Sequence, residues 1–281
     1  MRLTLSALRL LPRNLISRAA GRFAAARLPR PLVHAEIRAF ARAVGVDLSE
    51  VRDPLDSFPS LQAFFTRALR EGARTIEPAP DALVSPCDGA FGESGTVRGG
   101  QLLQLKGRPY GLPDLLGDAA DAARFEGGGF ATLYLSPRDY HRFHAPCAAR
   151  VERVTYRPGT LWPVNRIGLE GVDGLFAQNE RICAFMRASP GDALLCLVAV
   201  GATMVGKVRL TFDSLETNQA GARAEQRRYP EGIPLAKGEE WGRFEFGSTI
   251  VLLSEAGKVA LDLRPPGTAV RLGERIGRLL V

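Results

Sequence analysis

Two of the three histidines in this 281-residue sequence, His141 and His144, lie close together in the stretch H-R-F-H-A-P-C, which ends at Cys147. The preceding residues 136–139 read S-P-R-D, with a hydroxyl at the N-cap position, proline at N1 and an acid at N3, and they predict a short helical turn. On such a turn the two imidazoles share one face. Paired imidazoles suit acid–base catalysis or metal binding, and two structural histidines are the third interpretation. A metal would need further ligands, for which Cys147 is a candidate, and we predict no metal.

A second stretch that could do chemistry, F-E-F-G-S-T-I-V-L-L, covers residues 244–253. Gly247 and Ser248 form a flexible joint with a second hydroxyl at Thr249, and the apolar run that follows predicts a buried strand. Turns before strands often have this composition. A serine is also a nucleophile when a base lies beside it, so the residues alone leave both interpretations open.

Two well-known motifs are matched only in part. The stretch G-A-T-M-V-G-K at 201–207 matches most of a phosphate-binding loop. However, Val208 stands where a magnesium-binding hydroxyl is required, and the strand-like V-R-L-T-F follows where a helix is required. The stretch G-E-S-G at 92–95 lacks the glycine spacing of a hydrolase nucleophile elbow. Nucleotide binding and a standard α/β-hydrolase are therefore not expected.

The elements that must hold these residues divide into a helical start and a β-rich remainder. Residues 1–46 read as helices, with breaks at Pro12 and at the pair Pro29 and Pro31. Ser60 is a plausible N-cap for a helix over residues 61–69. From about Val84 onward, short apolar runs alternate with glycine, proline and aspartate. They predict strands at 131–135, 151–156, 194–200, 207–212, 249–253 and 259–263.

Together these patterns predict an α+β protein, in which basic N-terminal helices precede a β-rich, barrel- or sandwich-like catalytic domain. We place the boundary between residues 1–78, the helical membrane-associating region, and residues 79–281, the catalytic domain. Hydrophobic content of 46% with 24% charged residues is typical of a globular protein that can bury a core. Four cysteines without a C-x-x-C pair predict free thiols in a reducing compartment.

The net charge of +7 is concentrated at the N-terminus, where residues 1–35 contain seven arginines and no acid. Because these arginines are interleaved with leucine, isoleucine and phenylalanine, they predict a segment that binds an anionic membrane surface, not nucleic acid. A mitochondrial transit peptide and a solvated basic helix are the competing interpretations. The longest uncharged apolar run, residues 193–206, is too short to span a bilayer.

Several motifs follow one another in a characteristic order and spacing over roughly residues 60–260. They are S-P-C-D-G (85–89), Y-L-S-P-R-D-Y-H-R-F-H-A-P-C (134–147), P-G-T-L-W-P-V-N (158–165), L-F-A-Q-N-E-R (175–181), V-G-A-T-M-V-G (200–206), G-R-F-E-F-G-S-T (242–249) and G-K-V from residue 257. The set resembles the bacterial, pyruvoyl-dependent phosphatidylserine decarboxylases. One departure is the phenylalanine before the glycine of G-S-T, where members commonly carry leucine, and this change is conservative.

The resemblance implies that the chain cuts itself between Gly247 and Ser248 and converts Ser248 into a covalent pyruvoyl group, its only cofactor. Glycine leaves its own carbonyl accessible to the serine hydroxyl. His144 is then the candidate base for that hydroxyl, with Asp88 fixing its tautomer, and His141 is the candidate proton donor in decarboxylation. The pyruvoyl group would form a Schiff base with the amine of phosphatidylserine and accept the electrons released with CO₂, which gives phosphatidylethanolamine.

The resemblance also implies a homodimer that lies peripherally on the cytoplasmic side of the cell membrane, where phosphatidylserine is held in an anionic bilayer. Residues 248–281 should stay bound to residues 1–247 through their strands. Two rival functions remain. One is a lipid-directed serine hydrolase with Asp88, His144 and Ser248 as an ordinary triad, for which an intact chain labelled by serine-directed inhibitors would be diagnostic. The other is a non-catalytic membrane-docking domain, which would keep its function after His144→Ala.

Overall fold

The computed structural model describes residues 13–104, 107–203, 207–245 and 249–280. Its α-helices are α1 (Arg13–Ala24), α2 (Arg30–Val44), α3 (Leu61–Phe65), α4 (Leu112–Leu116), α5 (Ala119–Ala123), α6 (Arg166–Gly171) and α7 (Leu175–Gln178), with 3₁₀ turns at Leu48–Glu50 and Leu55–Ser57. Its strands are β1 (Ala82–Val84), β2 (Gly89–Thr96), β3 (Gln101–Gln104), β4 (Arg108–Gly111), β5 (Gly129–Tyr134), β6 (Arg142–His144), β7 (Ala149–Arg157), β8 (Arg181–Ala188), β9 (Leu194–Val200), β10 (Val208–Leu210), β11 (Glu225–Leu235), β12 (Glu240–Phe244), β13 (Thr249–Ser254), β14 (Val259–Leu261), β15 (Ala269–Val270) and β16 (Arg275–Leu279).

Proline and glycine set the ends of the second helix. Pro29 is the N-cap of α2 and Pro31 lies in its first turn, where the fixed φ of proline suits a helix start. Gly45 ends the helix with φ at 79°, in the left-handed region that glycine adopts without strain. The break predicted at Pro29 and Pro31 is therefore confirmed, whereas Pro12 lies outside the described residues.

Helix α3 begins where the sequence predicts and ends earlier. The hydroxyl of Ser60 accepts a hydrogen bond from the Ala63 amide at 3.2 Å, as an N-cap should. The helix was expected to reach residue 69, but it ends at Phe65 because Leu69 pairs with Val51 in an isolated β-bridge. The N-terminal helices share a small apolar cluster of their own, formed by Val33, Ile37, Ala41, Val46, Val51, Phe58 and Phe64. The boundary at residue 78 stays a prediction.

An eight-stranded antiparallel sheet forms the centre of the protein, in the order β11-β7-β8-β9-β13-β5-β2-β15. Strand β13 lies in its interior and pairs with β9 on one side and β5 on the other. Its side chains alternate between two cores, with Ile250 and Leu252 on one face and Val251 and Leu253 on the other. Because both faces are covered, the strand reads as a continuous apolar run.

Different layers cover the two faces of this sheet. On the face of Ile250 lie two three-stranded sheets. The sheet β10-β12-β6 contributes Phe143 and Trp241 to the core, and the sheet β1-β16-β14 contributes Leu83 and Ile276. On the opposite face α4 and α7 contribute Leu115 and Leu175. This layering confirms the predicted α+β class with a sandwich-like β-domain. In the described part of the chain the large sheet keeps β11 and β15 as edges, so it is not a closed barrel.

Two expectations about other functions can be compared with the fold. Strand β10 occupies Val208–Leu210, where a phosphate-binding loop would need a helix, and residues 204–206 of the partial motif lie outside the described residues. Among the helices that the structure describes, none is both long and apolar enough to cross a membrane.

Candidate active site

The two neighbouring histidines lie at and just before a short strand, not on the predicted helical turn. The turn is limited to residues 136–139, because the Asp139 carboxylate closes back on the amide and hydroxyl of Ser136, both at 2.7 Å. From Arg142 the chain is extended as β6 and pairs with β12. The expectation that His141 and His144 share a helix face is therefore wrong. His141 precedes the short strand, and His144 is its last residue.

His141 is completely buried, and one of its ring nitrogens is available to accept a proton or a hydrogen bond. Its Nδ1 lies 2.8 Å from the carbonyl oxygen of Asp139, and since a carbonyl only accepts, Nδ1 carries the proton. Nε2 therefore presents a lone pair, and it has no hydrogen-bond partner among the described residues. The ring packs on Phe65 with 4.0 Å between centroids. Burial lowers the pKa of His141 to about 3, so the imidazole is neutral at physiological pH.

His144 is also buried, but both of its ring nitrogens are bonded. Nδ1 donates to the carbonyl of Gly238 at 2.9 Å, and Nε2 accepts from the hydroxyl of Tyr140 at 3.2 Å. Burial lowers the pKa of His144, and the Gly238 carbonyl and the charge of Glu240 partly oppose that effect. The tautomer of His144 is thus fixed by a backbone carbonyl and leaves Nε2 as the basic nitrogen.

Asp88 lies in the loop between β1 and β2 and faces a cation. Its carboxylate accepts two hydrogen bonds from Arg74, at 2.8 and 2.5 Å, and one from the amide of Leu272 at 2.9 Å. The next residue, Gly89, has φ at 151°, and a Cβ there would stand 2.2 Å from the carbonyl oxygen of Tyr134. Only glycine fits so close to β5, and this contact therefore fixes the backbone position of the neighbouring Asp88.

The structure brings Asp88 and His144 near each other without the direct contact that the sequence predicts. The loop of Asp88 is tied to β6 by a hydrogen bond from the His144 amide to the Pro86 carbonyl, at 2.7 Å. Within the described residues, however, the Asp88 carboxylate is bonded to Arg74, and Gly238 takes the proton of His144 instead. The remaining influence of Asp88 is its charge, which opposes in small part the lowering of the His144 pKa by burial.

Gly247 and Ser248 lie outside the described residues, and the strands on either side of them are described. Before them, the amide of Phe244 donates to the carbonyl of His141 at 2.9 Å, at the end of β12. After them, Thr249 begins β13 between β9 and β5. His144 pairs with the other end of β12, opposite Glu240, and four residues of strand span about 13 Å. Along the backbone, His141 is thus the histidine nearer to the joint.

Sequence reasoning missed a buried acid beside this joint, Glu245. The Glu245 side chain is buried, accepts a hydrogen bond from Gln62 at 2.5 Å and faces the guanidinium of Arg209 at 2.9 Å. Burial raises its pKa. The signal was available, since an acid stands between two phenylalanines in the motif F-E-F-G-S-T. An acid that interrupts an apolar strand pattern is a candidate for a paired, buried position.

Cys147 was the candidate third ligand of the metal alternative. Its thiol is fully buried, and burial raises its pKa to about 12. Across residues 13–104, 107–203, 207–245 and 249–280, no group of three or more histidine, cysteine, aspartate or glutamate side chains is placed to hold a metal ion.

Comparison with known proteins places this geometry in a family. The family profile described as phosphatidylserine decarboxylase matches residues 61–278. A phosphatidylserine decarboxylase proenzyme of Anaeromyxobacter is 49% identical over 279 residues, which is 98% of each chain. The proenzymes of Myxococcus xanthus and Marinobacter nauticus are 38% and 40% identical and align with 96% of this chain. The chain therefore belongs to the phosphatidylserine decarboxylase family of enzymes.

Proposed function

We propose that this enzyme decarboxylates phosphatidylserine to phosphatidylethanolamine, using a pyruvoyl group that it makes by cutting itself between Gly247 and Ser248. The observation that supports the proposal is that β12 ends shortly before that dipeptide and β13 begins directly after it, with the backbone of the neutral His141 bonded to the end of β12. The relatives named above are proenzymes, a word that fits a chain processed after synthesis.

Self-cleavage needs a base for the Ser248 hydroxyl. The hydroxyl attacks the carbonyl of Gly247, the amide becomes an ester, and loss of the α-proton of Ser248 releases a chain that ends at Gly247. The new N-terminal residue is then dehydroalanine, whose imine tautomer takes up water and loses ammonia to give the pyruvoyl group. His144 is the proposed base, because its Nδ1–H is fixed on Gly238 and Nε2 is left basic. The serine must then displace the Tyr140 hydroxyl, which now occupies that nitrogen. The charge of Asp88 favours the protonated form that results.

His141 fits the proton transfers of the decarboxylation step. A pyruvoyl carbonyl, once formed from Ser248, supplies an electron sink for the pair released with CO₂. The substrate amine must lose a proton before it can react, and the buried Nε2 lone pair of His141 can accept that proton. After CO₂ leaves, the imidazolium formed in that step can return the proton to the α-carbon. Neutral His141 is then restored, ready for the next turnover.

The cut should not separate the two pieces. Strand β13 of the C-terminal piece pairs with β9 and β5 of the other piece, and β15 and β16 pair with β2 and β1. Residues 248–281 thus contribute an interior strand of the large sheet, and removing them would expose both of its cores. We propose that the two chains stay associated for this reason.

Helix α1 suits a protein that lies on its lipid substrate. Leu15, Ile16 and Phe23 are 56%, 36% and 68% exposed, an unusual exposure for three large apolar side chains on one short helix. Arg18 and Arg22 lie between them in sequence and would add attraction to anionic lipids. We propose peripheral attachment to the cytoplasmic side of the cell membrane, and a homodimer on the resemblance alone.

Mass spectrometry of the purified protein tests the cleavage directly. The wild type should yield residues 1–247 and a C-terminal piece whose mass fits a pyruvoyl terminus, while Ser248→Ala should remain one inactive chain. Thr249→Val is the matched control, since it removes the neighbouring hydroxyl and keeps the strand, and it should still be cut. A wild-type chain that stays intact while it decarboxylates the lipid would refute the mechanism. An intact chain labelled by a serine-directed inhibitor would favour the hydrolase interpretation.

A further inference from the structure

A cavity of about 390 Å³ lies between helix α1 and the edge of the small β10-β12-β6 sheet. Its wall on the helix side includes Arg18 and Arg22, and its opposite wall includes Lys207, Arg209 and Glu245. Four cations and one carboxylate therefore surround a space of the size that a small ligand occupies. Glu245 lies two residues before Gly247 in the sequence, so the chain that leads to the proposed cleavage site leaves from one end of the cavity.

The cations on the two walls differ in how well they are neutralised. Lys207 and Arg209 both contact the carboxylate of Glu216, and Arg209 also contacts Glu245 at 2.9 Å. Neither Arg18 nor Arg22 has a carboxylate within ion-pair distance among the described residues, although the charge of Arg18 acts on the carboxylate of Glu180. The helix side of the cavity thus presents two guanidinium groups that an anion could bind, and guanidinium favours oxyanions with two acceptor oxygens, such as phosphate.

The helical geometry of α1 sets these arginines at a particular depth. At 100° per residue, Leu15 and Phe23 lie on the exposed apolar face, whereas the buried Ser17 and Ala24 face the protein. Arg18 and Arg22 fall on the flank between these two faces. A helix whose apolar face enters the acyl boundary of a leaflet holds such a flank at the level of the lipid phosphates.

We infer that this cavity is the subsite for the phosphodiester of the lipid headgroup, with Arg18 and Arg22 as its ligands. The inference rests on the proposed function and names where the substrate binds. Among the described residues that line the cavity, Glu245 is the only carboxylate, and although Arg209 also contacts it, the substrate ammonium finds an opposite charge at that end. Only an ester oxygen and two carbons separate phosphorus from that amine. Three residues of chain, reaching about 10 Å at most, separate Glu245 from Ser248.

Binding of a soluble headgroup separates this subsite from general attraction to membranes. The full-length Ser248→Ala chain is titrated with glycerophosphoserine, which carries the phosphodiester and the serine but no acyl chains, and in parallel with inorganic phosphate. The parent should bind glycerophosphoserine, and Arg18→Gln and Arg22→Gln should each weaken that binding roughly tenfold, as expected for a charge-assisted contact. Arg18→Lys, which keeps the charge, should retain part of the affinity. A melting curve for each variant checks that it is folded.

Arg27→Gln is the matched control, because Arg27 belongs to the same basic segment, is exposed and does not line the cavity. It should bind glycerophosphoserine as the parent does. Unchanged binding in both cavity variants would overturn the inference, and so would an equal loss in Arg27→Gln. Inorganic phosphate bound as tightly as glycerophosphoserine would overturn the assignment to a lipid headgroup. Because the Ser248→Ala chain performs no chemistry, these outcomes are independent of whether the wild type forms a pyruvoyl group.

Discussion

Replacing His141 with asparagine should make the free energy of unfolding of this protein fall less steeply as the pH is lowered from 7 to 5. The folded imidazole has a pKa of about 3 because it is completely buried, whereas an unfolded histidine titrates near 6.5. The folded pKa is the lower one, so the unfolded chain binds the proton first. The stabilisation is fully present above about pH 6.5 and is lost as the pH falls toward 3. Between pH 7 and pH 5 this amounts to about 2 kcal/mol.

The measurement is urea unfolding of the uncut Ser248→Ala chain, with and without His141→Asn, at pH 7, 6 and 5. Asparagine is chosen because its amide can donate to the Asp139 carbonyl in place of Nδ1. Carboxylates and His144 titrate in both proteins, so the difference between the two curves isolates His141. The parent should lose about 2 kcal/mol more than the variant between pH 7 and pH 5. Parallel curves would refute a buried, neutral His141 and, with it, its role as a resting proton acceptor.

Two further predictions concern the carboxylate loop and the C-terminal strand. Arg74→Met should destabilise the protein by about 3–5 kcal/mol in urea, because it leaves the buried Asp88 carboxylate without its cation, and adding Asp88→Asn should restore part of the loss. Arg52→Met removes an exposed pair and should cost less than about 1 kcal/mol, so equal losses would contradict the argument. Leu252→Ala, at a fully buried position of β13, should cost about 2–5 kcal/mol and release residues 248–281 from the cut protein at lower urea, as measured by size-exclusion chromatography. Release at the wild-type concentration would contradict an interior strand.

The interior strands were the most predictable part of the fold, since burial on both faces leaves a continuous apolar run. The predicted segment 194–200 coincides with β9, and the segment 249–253 omits only the last residue of β13. Segment 207–212 was too long, because β10 covers only Val208–Leu210. Short strands end where their partners end, and β10 pairs with β12 over three residues. A local pattern does not contain that information.

The site was predictable in its residue types and less so in its contacts. The motifs identified the histidines, but the S-P-R-D signature predicted a helical turn that the pairing of β6 with β12 overrides. The cation that pairs with Asp88 is Arg74. Glu245 accepts a hydrogen bond from Gln62, which lies 183 residues earlier in the chain. Such pairs depend on the tertiary fold, so spacing along the sequence could not reveal that Gly238, instead of Asp88, fixes the tautomer of His144.

The position of the proposed cut offers a physical reason for the chemistry of the new terminus. Strands β12 and β13 belong to different sheets, so breaking the link between them removes no strand pairing from either sheet. The new terminus, however, starts immediately before Thr249, which is 1% exposed at the beginning of an interior strand. An ordinary terminal ammonium one residue before such a buried position would need a partner or water, because a charge taken out of water without a partner is costly. A keto terminus carries no charge, so the proposed conversion of Ser248 to a pyruvoyl group would both create the electron sink and avoid that cost.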